Sequence, residues 1–175
     1  MAANFTHASA LVQGRIEKTY GIPVITRDVP DPLTGDLDGA EIHIDHAVSG
    51  ELRLFLLVHL FGHTVQWNTN PAALEIGQLL EPPVTEDVLA PILEYEDQAA
   101  RYSLALLHEA GVTGFDQWLA DFSATDHAYL AHYYRTAEKR EFQTFEVTGT
   151  PLLSPNAIPA FTPARLRFRI DGIVI

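Results

Sequence analysis

A chain of 175 residues, 47% hydrophobic with polar and charged residues mixed throughout, has the size and composition of one domain around a buried core. Its 11 lysines and arginines against 23 aspartates and glutamates give a net charge of −12, which repels phosphate backbones and anionic lipid and argues against direct nucleic-acid or membrane-surface partners. There are no cysteines, so disulfides and thiolate metal sites are excluded, and any metal must be held by His, Asp or Glu.

In chain order, Ala10, Leu11, Ile16 and Tyr20 recur at helical spacing and predict a helix over 8–20, ended by Gly21. The run IPVIT predicts a strand over 22–26. The Pro-, Gly- and Asp-rich segment after it reads as a turn-rich connection or hairpin loop leading to a second strand, AEIHID, over 40–45. There Ile42 and Ile44 share one face, with Glu41, His43 and Asp45 on the other. Ser49 is placed as an N-cap and Glu51 in the first turn of a helix over 50–67 that is apolar nearly all round, and therefore central. The segment 69–85 reads as an irregular crossing. Thr85, Glu86 and Asp87 then begin a long helix stopped by Gly111, whose regular part Pro91 confines to about 90–110. Helical patterns over 114–122 and 125–140 follow, and a Pro-rich tail ends in an alternating segment, RLRFRIDGIVI, read as a strand over 165–175. No repeat or linker divides the chain, so 1–175 is read as one domain, with a motif-bearing core over about 15–110. No run of ~18 apolar residues could span a bilayer. The opening MAANFTHASALVQGRIEKTYG lacks the charged start and apolar core of a signal peptide, so the expected location is cytoplasmic.

The stretch LLVHLFGHTVQW carries His59 and His63. Residues four apart lie on one helix face, so both imidazoles can converge on a single ion; equally, two histidines can pack in a core with their ring nitrogens satisfied by other groups. A zinc-type site takes at least three protein ligands. The next helix, EYEDQAARYSLALL, offers Glu94 and Glu96, about 200° apart around the helix, of which only one can face the histidines. Ala99 and Ala100, three and four residues after Glu96, are small enough to let another helix approach closely.

The order of the strand EIHID, the helix start ELRLFLLV, HLFGHTVQ and the helix EYEDQAARYSLALL resembles the zincin-type metallopeptidases of the IrrE/ImmA group over about residues 15–107. The resemblance implies an α+β, zincin-like fold: a small mixed or antiparallel sheet packed on a central motif helix, with further helices around it. It implies zinc ligation by His59, His63 and Glu96, with Gly62 as the glycine before the second histidine, and it places His43 and Asp45 on the strand that binds extended substrate, with a peptide or protein as partner. Two departures accompany it. Leu60 stands where these enzymes carry the general-base glutamate, and Ala100 replaces an Asn or Asp that helps to fix a histidine ligand. A positioned acid–base group contributes about 10²–10⁴-fold, so metal binding survives the first change better than hydrolysis does. Glu51, two turns before His59, is too distant to replace it; His43, Asp45 and His46 near the strand end, and His127, His132, Tyr133 and Tyr134 on a later helix, are the other candidates for proton transfer. Gln66 and Trp67 continue the motif helix as packing residues. Three readings follow: a metal-binding protein without ordinary peptidase activity, acting in binding or regulation; a metal-dependent hydrolase with another base; and a metal-free interaction module.

Overall fold

The computed structural model describes residues 4–30, 33–78 and 81–166. Among the described residues it is an α+β structure with five α-helices and one small mixed sheet. Helix α1 spans Phe5–Tyr20; the Asn4 side chain accepts from the backbone N–H of His7, and Gly21 closes the other end at a φ of 66°. Strands β1 (Val24–Arg27), β2 (Gly35–Leu37) and β3 (Ile42–Asp45) follow. The sheet order is β1-β3-β2, with β1 parallel and β2 antiparallel to β3.

That topology differs from a simple hairpin between the two expected strands. The connection contains β2, too short and too rich in Gly and Asp to show an alternating pattern. Its position depends on Gly35, where a Cβ would meet Leu60 Cδ1 at 2.9 Å and the His43 carbonyl at 3.3 Å. Only glycine lets the strand lie this close to both its sheet partner and the helix beneath.

Helix α2 (Gly50–Thr69) is buried continuously from Leu54 to Trp67, as its all-round apolar sequence predicts. Ser49 holds the N-cap position with an extended backbone, although its hydroxyl makes no capping bond. The segment expected to be irregular contains a short helix, α3 (Pro71–Ile76), whose start is set by Pro71 in the first turn and by Asn70 accepting from Ala72 N–H. Helix α4 runs Glu86–Glu109 with Pro91 inside it, so the regular part begins earlier than the proline suggested. The two patterns expected over 114–122 and 125–140 form one helix, α5 (Asp116–Thr136), ended where Ala137 takes a left-handed backbone. A 3-10 turn at Phe142–Phe145 follows.

Residues 146–166 have no regular secondary structure and are tied back to the rest of the chain. Thr150 bonds to Asp121, Asn156 N–H to the Arg101 carbonyl, Ala164 N–H to Asn68 and Leu166 N–H to the Asp38 carbonyl, while Phe161 stacks on Tyr20. The strand expected over 165–175 lies almost wholly outside the described residues. Among the described residues, no helix is long and apolar enough to cross a membrane.

The closest helix pairing positions the site. A Cβ on Gly62 would collide with the Ala99 carbonyl oxygen and stand 3.1 Å from Ala99 Cα, so α2 and α4 touch backbone to backbone at this point. Ser103 Oγ clamps the contact by donating to the carbonyls of Val58 and Ala99, at 2.9 and 2.8 Å, through one hydrogen shared between them.

Candidate metal centre

One turn of α2 carries His59 and His63, and α4 brings Glu96 against them. The His59 and His63 Nε2 atoms are 3.0 Å apart, and Glu96 Oε2 stands 3.3 Å from the first and 3.2 Å from the second. All three residues are buried, at 2, 2 and 7% exposure, so bulk water does not satisfy them. Glu94, the other glutamate offered by the sequence, is exposed and accepts a bond from Gln98. The buried group His59, His63 and Glu96 could hold a metal ion.

The tautomer of His63 follows from its neighbours. Gln66 donates through Nε2 to the Tyr95 carbonyl at 2.8 Å, which turns its Oε1 towards His63 Nδ1 at 2.9 Å. A carbonyl oxygen only accepts, so Nδ1 bears the hydrogen and the neutral ring presents a bare Nε2 lone pair to the site. Gln66 is therefore more than a packing residue. Tyr95 stacks on His63 at 4.4 Å and Phe55 on His59 at 4.9 Å, so both rings are held from their faces. Trp67 donates to the Tyr95 hydroxyl at 2.7 Å and braces that wall.

A His59 Nε2–H can donate to the His63 lone pair, while Glu96 Oε2 accepts no well-directed hydrogen bond among the described residues although both rings are near it. Burial opposes ionisation of Glu96, yet the adjoining His63 and His59 rings outweigh it and hold the carboxyl below the usual range. Burial, reinforced by His63 and opposed by Glu96, brings His59 down to about 4. The arrangement gathers a carboxylate and the His63 Nε2 lone pair in a dry space, with His59 beside them, a donor set that could hold a cation.

The expected substrate residues, His43 and Asp45, lie on β3 and outside the group of three ligand atoms. Strand β3 is the central strand, hydrogen-bonded on both edges, so it has no edge left for an extended peptide. His43 and Asp45 occupy the face opposite the buried Ile42 and Ile44. His43 Nε2 lies 3.1 Å from Glu41, and the Asp45 oxygens accept from the N–H groups of Val29 and Ala47. Asp45, His46 and Asp28 form a second group with ligand atoms within 4.8 Å, but Asp28 and His46 are exposed and both Asp45 oxygens are already used in the turn.

Leu60 is fully buried with its Cδ1 directed at Gly35 of β2, so the position of the expected base is filled by a core contact beneath the sheet. Ala100 is buried, a place where Asn or Asp would need partners. Glu51 accepts from Trp118 Nε1 at 2.7 Å and is engaged away from the site. Of the candidates on α5, His127 and Tyr134 interact electrostatically with Glu96: burial lowers the His127 pKa against the pull of Glu96, and burial and Glu96 together raise that of Tyr134. His127 Nε2 is buried without a hydrogen-bond partner among the described residues. His132 instead sits beside Thr136 and Phe145.

The residue the sequence reading passes over is Asp126. It is 0% exposed, neither carboxyl oxygen has a hydrogen-bond partner among the described residues, and burial followed by the Glu96 charge pushes its pKa well up. The available signal was its place in the buried stripe Leu119, Ser123, Asp126 and Leu130, where an acid is out of character.

Comparison with protein-family models, with curated proteins and with solved structures finds no match to this chain.

Proposed function

We propose that the protein is a degenerate, zincin-like metal-binding protein that holds a divalent cation, zinc by preference, through His59, His63 and Glu96, and acts in binding or regulation rather than in conventional peptide hydrolysis. The observation that carries the reading is the triangle of buried ligand atoms. Two ligands each about 2.0–2.1 Å from one tetrahedral zinc stand ~3.3–3.4 Å apart. The three separations here are 3.0, 3.2 and 3.3 Å, within a few tenths of that spacing. The orphaned Glu96 Oε2 and the bare His63 Nε2 support it further.

The division of labour follows from the neighbours. Gln66 fixes the His63 tautomer, Tyr95 and Phe55 hold the ring planes, and Gly62 brings the glutamate helix within reach. When bound, zinc supplies Lewis-acid polarisation of an oxygen ligand. Leu60 has no atom that accepts a proton, so the step that the motif glutamate performs in the resembled peptidases has no agent at this position.

Zinc titration of full-length protein purified without a nickel column tests the reading. Wild type should take up one equivalent and His63→Ala should lose it; equally poor uptake by both would sink the proposal in favour of a metal-free interaction module. A hydrolase using another base is the second reading, favoured by the unpartnered His127 Nε2 beside Glu96. Turnover of a broad peptide panel by wild type, abolished in His127→Ala, would establish it; inactivity of the zinc-loaded protein would remove it.

A further inference from the structure

We propose that Asp126 belongs to the same metal site, as a second carboxylate that closes around a divalent cation held by His59, His63 and Glu96. The inference rests on the metal-binding reading and extends its ligand set.

A fully buried aspartate with two oxygens unpartnered among the described residues is a liability in the buried stripe of α5, where leucine would be less costly. Folding provides no use for it among the described residues. Its position provides one. Phe122, one turn earlier on α5, stacks on Phe55 at 4.1 Å, and Phe55 stacks on His59 at 4.9 Å. His127, the next residue, feels the charges of Glu96 and Asp97 and the backbone of Glu96. The residues on both sides of Asp126 are thus anchored on the two helices that supply the three ligands, and Asp126 itself interacts electrostatically with Glu96.

Charge balance leads to the same role. Two neutral imidazoles, one carboxylate and a dication leave one positive charge buried in an apolar interior; a second carboxylate removes it. The Asp126 carboxyl stands outside the group whose ligand atoms lie within 4.8 Å of one another, so joining it requires the side chain to turn towards Glu96. The resulting set of two imidazoles and two carboxylates suits zinc or another first-row divalent ion. With four protein ligands and no open position, it is the pattern of a structural metal site, which accords with leucine at position 60.

Cobalt(II) titration of the full chain, followed in the visible, tests this. Wild type should bind one equivalent with the intense absorption of a four-coordinate ion and show no response to added azide. Asp126→Asn should bind at least tenfold more weakly and acquire an azide response, while its thermal midpoint in EDTA stays equal to or above that of wild type. Equal affinity and an identical spectrum in the two proteins would overturn the proposal. If Asp126→Asn does not fold, the wild-type spectrum decides alone: an azide-responsive or weak band overturns the closed site, and an intense unresponsive band supports it. Absence of cobalt uptake by both wild type and His63→Ala is a different result, which removes the metal reading itself and this inference with it.

Discussion

Replacing Gly62 by alanine isolates what the close crossing of α2 and α4 contributes. In a helix interior the change is favourable by about 1 kcal/mol from propensity alone. Against that, the new Cβ would collide with the Ala99 carbonyl oxygen and lie 3.0 Å from its carbon and 3.1 Å from its Cα. These are backbone atoms of a helix, so no side chain can swing aside and the two helices must separate. Overpacking of this kind costs about 1–3 kcal/mol, and a backbone collision belongs at the upper end, which leaves a net loss of roughly 2 kcal/mol. The same separation moves Glu96 away from His59 and His63 and opens edges that now measure 3.2–3.3 Å, so metal affinity should fall by at least tenfold in parallel. The control is Gly14→Ala in α1, where a Cβ meets nothing within 4 Å; it should raise stability by about 0.5–1 kcal/mol. Urea denaturation in EDTA measures the stability term, and zinc titration measures the affinity term. If Gly62→Ala were as stable as Gly14→Ala, or held zinc as tightly as wild type, the account of the crossing would be refuted.

Further outcomes follow from other contacts. Gln66→Ala should weaken zinc binding about 10–100-fold by freeing the His63 tautomer, measured by competition with a chromophoric chelator; unchanged affinity would deny the amide that role. Leu60→Ala should cost roughly 2–5 kcal/mol in urea melts, as expected of a fully buried leucine under the sheet; a cost near zero would mean the side chain does not pack against Gly35 as described. Asp121 tests the tail. The Thr150 hydroxyl and backbone N–H bond to its carboxyl and, with smaller help from Gly149 and Gln117, hold it at about 2. Because this lies below the unfolded value of about 3.9, the stabilisation is fully present above roughly pH 4 and is lost as pH falls through about 2. The difference in urea midpoint between wild type and Asp121→Asn should therefore be flat above that range and shrink on acidification; a difference that grew towards low pH would contradict the sign.

Much of this was readable in the chain. Helix α2 is central because its apolar residues cover every face, and no solvent-facing placement would tolerate that pattern. The spacing of His59 and His63 alone puts two imidazoles on one face. The small residues Ala99 and Ala100 mark where α4 comes close, although the glycine that completes the contact lies on the partner helix. The single course of α5 through Ser123 and Thr125 was less legible, because residues of weaker helix propensity within a helix are overridden by packing on both sides.

Sequence by itself determined the kinds of group available: histidines and carboxylates without thiols, and a core helix to carry the histidine pair. Only the tertiary structure decided which glutamate joins them, because Glu94 and Glu96 differ in nothing but the direction in which α4 presents them to α2. It also decided that His43 and Asp45 sit on a central strand, since strand order arises from pairing between distant segments and leaves no trace in either one. Asp126 shows the same division. Its burial stripe is written in the sequence, but its electrostatic interaction with Glu96 exists only once α5 has packed against α4.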